Sequence, residues 1–395
     1  MKTAENFTKD FQNIFHTTKA PRIFFAPGRI NLIGEHTDYN GAHVFPAAIS
    51  YGTYCLGTKR EDQKLRFYSM NFPEKGMIEC DLSDLSFNEK HDWANYPKGI
   101  FLYLIENGFH ISSGADIFYY GNIPNGAGLS SSASIELATG VLVEGLYAEK
   151  INRMELIKLG QKVENHYIGV NSGIMDQFAV GMGKENHAML LNCDTLEYKY
   201  APIHLSNHVI LIINTNKARK LADSKYNERH AECEAALRDL QKKLRINSLG
   251  ELTKKEFEEY KHLITNSTIR KRAKHVVYEN ERTLKAFDQL QQGNLEAFSK
   301  LLNDSHISLR DDYEVTGPEL DTIAETAWEL DGVLGARMVG GGFGGCAIAI
   351  IEKDKAEAAK EQINAVYQEK FGIKATFYTA TIGDGAKEIT KGVVI

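Results

Sequence analysis

The sequence predicts an α+β fold in two domains, and three observations carry that prediction. Short apolar strand runs and long amphipathic helical patterns interleave without the regular strand–helix rhythm of a parallel sheet. A uniformly apolar run, His208 to Asn214, restarts the chain after a turn region and sets a boundary near residue 203, giving domains 1–203 and 204–395. At 395 residues the chain exceeds the usual single-domain size of about 150 residues and can bury large cores without staples.

The elements follow in order. Ile23 to Ala26 reads as a strand entering a turn at Pro27-Gly28. Gly52–Lys59 and Lys64–Ser69 read as a strand pair, and Ala115–Tyr120 as a further strand closed by Asn122-Ile-Pro-Asn-Gly126. A helix is expected from the serine cluster near Ser131 to about Ala148, and a second from Arg153 to Tyr167. In the second, Leu156, Leu159, Gly160, Val163 and Tyr167 share one face, with Glu164 beside it. After the His208–Asn214 strand, charged helical patterns span about 217–244 and 271–292. Thr316-Gly-Pro-Glu319 has the marks of a helix start, a capping box with proline in the first turn. Gly335–Val339, Cys346–Ile351 and Lys374–Thr381 return to strands.

Composition excludes several classes. With 43% hydrophobic and 25% charged residues and only 8 prolines, the chain is neither disordered nor fibrous. A net charge of -6 disfavours nucleic acid or an anionic membrane as partner, so an anionic ligand would need local positive potential. The five cysteines (Cys55, Cys80, Cys193, Cys233, Cys346) are odd in number, scattered and without a CxxC. They predict free thiols in a reducing compartment rather than disulfides or structural zinc. Met1 to Phe15 lacks the apolar segment of a secretory signal, and no run of about 18 apolar residues occurs, so a cytoplasmic location is expected.

Three segments carry chemical signals. Asn125-Gly-Ala-Gly-Leu-Ser-Ser-Ser-Ala133 combines glycines that let backbone N–H groups approach a ligand, three hydroxyls, and a helix that begins at once. That construction suits a phosphate cradle at a positive helix end, though it also suits a capped helix after a flexible turn. The pattern GxxxxGK[ST] is absent, which excludes a P-loop, and no G-x-S-x-G suggests a hydrolase. Gly340-Gly-Gly-Phe-Gly-Gly345 fits GxGxxG only formally. An apolar strand follows it, so it reads as a tight turn whose missing side chains admit a substrate or another backbone. In Ala26 to Gly41, Arg29, Glu35, His36 and Asp38 alternate with Ile30, Leu32 and Ile33. Half-buried polar groups need partners, and sugar hydroxyls are suitable ones. No second ligand pair stands at metal spacing from His36-Thr-Asp38, so no metal is expected there.

Together these segments resemble the GHMP kinases. Gly28-Arg-Ile-Asn-Leu-Ile-Gly-Glu-His-Thr-Asp-Tyr-Asn-Gly41 is similar to the signature of the galactose-phosphorylating members, and Asn171-Ser-Gly-Ile-Met-Asp-Gln177 to their segment bearing the catalytic aspartate. Pro124–Ala133 is similar to the family's ATP motif and Val339–Gly345 to its third motif. The resemblance spans about residues 22–350 and implies a two-domain GHMP kinase fold with the site in the cleft between domains. It implies ATP-dependent phosphorylation of D-galactose at the anomeric hydroxyl, giving galactose 1-phosphate and ADP, the first step of the Leloir pathway. Asp176 would be the base and Arg29 its neighbour, stabilising transition-state charge. Glu35, His36, Thr37, Asp38, Gly173, Asp176 and Tyr226 would bind the sugar. Gly126, Ala127, Gly128, Leu129, Ser130, Ser131 and Ser132 would wrap the phosphates, with Ser69 and Trp93–Gly99 on the nucleotide side. Ser132 and Glu164 would hold Mg2+. Partners would be small molecules, galactose and MgATP, taken up by a monomer. A kinase for N-acetylgalactosamine or arabinose, or a non-catalytic galactose/ATP sensor, are the alternatives.

Overall fold

The computed structural model describes residues 4–124, 128–217 and 222–389. Its framework is a six-stranded sheet with spatial order Lys387–Glu388, Arg22–Asn31, Pro46–Lys59, Ala115–Gly121, Lys64–Ser69, Ile78–Asp81. A four-stranded sheet follows the order Val333–Val339, Cys346–Glu352, His208–Asn214, Thr376–Ala380. Antiparallel pairing prevails, and Lys64–Ser69 is parallel to Ala115–Gly121. A small third sheet joins His43–Val44 to His187–Asn192 and Tyr198–Pro202.

Three sequence expectations change. Lys64–Ser69 does not pair with the strand before it, because Ala115–Gly121 lies between them. Gly114 makes this insertion possible: a Cβ there would lie 1.9 Å from the Lys64 carbonyl oxygen. Arg60 and Arg66 close the crossing by sharing the Asp116 carboxylate at 2.8 and 2.7 Å. Pro27-Gly28 is not a turn but a bulge inside the continuous strand Arg22–Asn31, with the register shifting between Pro27 and Arg29. The capping box at Thr316 does not form. Thr316 is helical and makes no side-chain cap, while Glu319 binds Lys217 at 2.8 Å. Helix Gly317–Trp328 starts on proline geometry alone.

The six-stranded sheet is covered on both faces. One face carries Ala4–Phe15, a helix the alternating N-terminal pattern concealed, which buries Phe7, Phe11 and Phe15 against Tyr54 and Phe118. On the other, Phe24, Cys55, Ile117 and Tyr119 pack on helices Asn95–Glu106, Ser131–Tyr147, Arg153–Lys162 and Met175–Met182. Helices Ser131–Tyr147 and Arg153–Lys162 close up at Gly140, where a Cβ would sit 2.3 Å from a Leu156 methyl. In the second half, Ala222–Leu240, Ser267–Gln291, Leu295–Ser308, Gly317–Trp328 and Ala356–Phe371 enclose a core on the four-stranded sheet. The free cysteines agree with the sequence reading: Cys55, Cys233 and Cys346 are buried, Cys80 and Cys193 half-buried. No helix among the described residues is long and apolar enough to cross a membrane.

Candidate active site

A cavity of about 460 Å³ opens where several stretches of chain converge. They include the end of strand Arg22–Asn31, the loop after it, the start of helix Ser131–Tyr147, segment 169–176, and the glycine turn at 340–342, with Glu164 and Tyr226 beside them. The bulge brings the strand against the serine loop. A Cβ on Gly28 would lie 2.6 Å from the Leu129 carbonyl oxygen, so only glycine lets the strand run flush against the serine loop. The next residue, Arg29, donates its backbone N–H to that carbonyl at 3.1 Å. Its guanidinium grips the Asp176 carboxylate, Nε to Oδ1 at 2.9 Å and Nη2 to Oδ2 at 3.1 Å, and gives Nη1 to the Gly128 carbonyl at 2.7 Å. Ser130 Oγ donates to Asp176 Oδ2 at 2.5 Å. Asp176 lies in the first turn of Met175–Met182 and caps nothing; its carboxylate faces the cavity.

The loop after the strand builds the opposite wall. His36 adopts φ +60° and is neutral, its pKa lowered to about 3 by burial and by the nearby His275. Its Nδ1 meets the Tyr39 hydroxyl at 2.9 Å and its ring packs on Tyr226 and Tyr313. Asp38 is half-buried and its pKa is pushed up to about 7, by burial first and then by the charge of Asp176. Gly173 presses on it: a Cβ there would stand 2.0 Å from Asp38 Oδ2. Glu35 is buried, which raises its pKa. Its Oε1 accepts the Gly340 N–H at 2.7 Å and its Oε2 accepts Asn31 Nδ2 at 2.8 Å. Tyr226, on helix Ala222–Leu240, lines the same cavity. Thr37 does not reach it, since its hydroxyl is held at 2.7 Å from the carbonyls of both Gly34 and His43.

The glycine turn joins Val333–Val339 to Cys346–Glu352 as an antiparallel connection. Gly340, Gly342, Phe343, Gly344 and Gly345 all have positive φ, a run that side chains disfavour. The backbone it admits is that of Val315, whose carbonyl oxygen lies 2.2 Å from where a Gly342 Cβ would be.

The comparisons match this geometry. The galactokinase galactose-binding signature matches residues 9–59, the N-terminal GHMP kinase domain 95–184 and the C-terminal one 286–369. Galactokinase of Ligilactobacillus salivarius is 59% identical over 93% of this chain and 95% of its own. That of Streptococcus suis is 55% identical over 98% and 99%. This chain belongs to the galactokinase family of GHMP kinases. The Lactococcus lactis galactokinase crystallised with galactose superimposes with a TM-score of 0.95 at 51% identity, covering 98% of this chain and 99% of its own. Mevalonate kinase of Methanococcus jannaschii shares the fold, with a TM-score of 0.65 at 20% identity, covering 93% of this chain and 100% of its own.

A galactokinase must seat a nucleotide beside its sugar. A second cavity of about 210 Å³ adjoins the first and is walled by Ser69, Phe72, Trp93, Tyr96, Tyr119 and Ile135. Ser131 and Ser132 border both cavities. Gly99 faces Val163 inside the helix packing instead. Of the expected phosphate-loop residues, Gly126 and Ala127 lie outside the described residues. Leu129 buries its side chain, and only its backbone faces Arg29.

Ser132 and Glu164 both line the main cavity. Helix Arg153–Lys162 passes into a wider π turn, Val163–Ile168, which carries Glu164. Glu164 is buried and accepts Ser172 Oγ at 2.5 Å. A hydroxyl and a carboxylate are hard oxygen donors that suit Mg2+ held largely by phosphates and water.

Sequence reasoning missed several supporting residues. Glu136 lies buried behind Glu164 and is bonded by Gln177 at 3.0 Å; burial, then the charge of Glu164, raises its pKa well above the usual carboxylate range. Arg337 is buried and donates to the carbonyls of Asn31 and Leu32 at 3.1 and 2.8 Å. An arginine in the otherwise apolar run Gly335–Val339 was its one signal. Glu279 accepts the Gly34 N–H at 3.0 Å from a helix some 245 positions away in sequence, and nothing local marks it.

Proposed function

We propose that this chain transfers the γ-phosphoryl group of ATP to the anomeric hydroxyl of D-galactose, with Asp176 as the general base. The supporting observation is the doubly bonded Arg29–Asp176 pair, set in one cavity between the sugar-signature loop and the serine loop. Phosphoryl transfer asks a protein mainly for positioning and charge stabilisation. A carboxylate held by a fork of two N–H groups is fixed in place, so its contribution is geometric. Arg29 stands ready for charge that develops on the transferred group. Glu35, His36, Asp38, Gly173 and Tyr226 would receive the sugar, with neutral His36 and the Asp38 carboxyl as its polar contacts.

Ser131, Ser132 and the Gly128–Ser130 backbone would border the phosphates, with the base stacked in the cavity of Ser69, Trp93 and Tyr96. Ser132 and Glu164 would hold Mg2+, which when bound neutralises phosphate charge. The domains are taken as 1–203 and 204–395, and the enzyme as a cytoplasmic monomer.

Asp176→Ala is expected to lose turnover by at least about 100-fold while galactose and an ATP analogue still bind by calorimetry. Near-normal turnover would remove Asp176 as base. A kcat/KM panel over galactose, N-acetylgalactosamine and arabinose tests the sugar, and galactose-dependent ADP release separates an enzyme from a sensor.

A further inference from the structure

Ser130 breaks a local rule. A serine directly before a helix ordinarily turns its hydroxyl onto the helix's free N–H groups. Here it has φ +63° and ψ +51°, the left-handed region that side chains disfavour, and makes no cap bond. The residue is buried, 7% exposed, and its hydroxyl points back to Asp176 Oδ2. Strain of this kind persists only where the surroundings impose it. The surroundings are Arg29, which holds the carbonyls of Gly128 and Leu129 with its side chain and backbone.

A hydroxyl has one proton, and this one is directed at the carboxylate, so the same proton is not available to a phosphate oxygen. A carboxylate offers about four acceptor sites. Arg29 Nε donates to Oδ1, Arg29 Nη2 and Ser130 Oγ donate to Oδ2, and Nη2 also stands 2.9 Å from Oδ1. Among the described residues one N–H is directed at Oδ1 and two donors at Oδ2, so the open site is on Oδ1.

Resting on Asp176 as the base, we propose that Ser130 is a positioning residue, which saturates Oδ2 and leaves Oδ1 to take the sugar proton. In that step the anomeric O–H gives its proton to Oδ1. The freed oxygen forms the new O–P bond as the bond to the ADP oxygen breaks. The serine loop thereby supplies two different services. Ser131 and Ser132 face the nucleotide side, and Ser130 orients the base.

Two variants test this. Ser130→Ala removes the hydroxyl and keeps the strain, whereas Ser130→Gly removes the hydroxyl and relieves the strain. Both are expected to lower kcat by about 10- to 100-fold, with KM for MgATP and galactose within about twofold of the parent. In an Asp176→Asn background, Ser130→Ala is expected to lower the residual rate no further. A raised KM for MgATP with kcat kept would make Ser130 a phosphate ligand and overturn the proposal. So would a Ser130→Gly enzyme of normal kcat, which would assign the effect to backbone shape, or a further loss in the Asn background. If Asp176→Asn alone kept normal turnover, the base reading itself would fail, a result distinct from all of these.

Discussion

Asp38 carries its carboxyl between Asp176, whose negative charge it feels, and the Gly173 backbone pressed onto it. The motif around it was legible as a row of charged residues among apolar ones, because half-buried charge is rare without a purpose. What the row could not show is that the members divide their work. Glu35 ties the loop to the glycine turn, Thr37 closes the loop on itself, and His36 and Asp38 line the cavity.

The division has a pH consequence. Asp38 moves from an ordinary value of 3.8 to about 7 in the fold, so between those limits the native state binds more protons than the unfolded one. Its contribution therefore favours folding at low pH and is lost as pH rises through that window. In sugar-free protein, Asp38→Asn is expected to gain stability relative to the parent between pH 4.5 and 7.5. The gain is on the order of 1–2 kcal/mol, below the full shift because the side chain is partly exposed. Melting curves at four pH values give the comparison. A pH-independent difference would mean that Asp38 titrates as an ordinary carboxylate.

At the scale of elements, period and punctuation were strong guides. The helix from Ser131, the strand His208–Asn214 and the glycine turn all stand where apolar spacing and glycine placed them. Pairing was not legible, since which strand lies beside which depends on contacts such as Gly114 against Lys64. The π turn at Val163–Ile168 was equally hidden, because its side-chain pattern continues that of the helix before it.

Segment 169–176 shows how a stretch that is irregular up to the first turn of helix Met175–Met182 can matter most. It leaves the π turn at Gly169, with φ +89°, and delivers Ser172 to Glu164, Gly173 to Asp38 and Asp176 to Arg29 within five residues. Gly173→Ala would drive a methyl group into the Asp38 carboxyl. KM for galactose is expected to rise at least about tenfold while the affinity for an ATP analogue stays within about twofold. Equal losses for both ligands would mean that the whole segment had shifted.

Across the whole molecule, the two halves are joined by buried charge at the back of the site. Arg337 comes from the four-stranded sheet and reaches the carbonyls of Asn31 and Leu32 at the end of the first sheet's strand. It lies 3.6 Å from Glu35 and also feels Glu279. Glu279 is in turn bonded by Arg282 at 2.8 Å, by Ser305 at 2.5 Å and by the Gly34 N–H. Two carboxylates and two guanidiniums thus neutralise one another, all buried except Arg282, which is half-buried.

Removing one member of such a set costs far more than the set contributes, because a buried charge is left unmatched. Arg337→Met is expected to destabilise the protein by about 3–5 kcal/mol in urea and to raise KM for galactose, since Glu35 loses its counter-charge and the loop its tie. Glu35→Gln alone leaves Arg337 with only Glu279 and also costs stability. The double variant removes both charges, so its loss should fall well short of the sum of the single losses. Its KM should stay high, because Glu35 also lines the sugar cavity. Strict additivity of the two stability losses would show that Arg337 and Glu35 do not act as a pair. The tie between the halves would then rest on the guanidinium's hydrogen bonds to the Asn31 and Leu32 carbonyls alone.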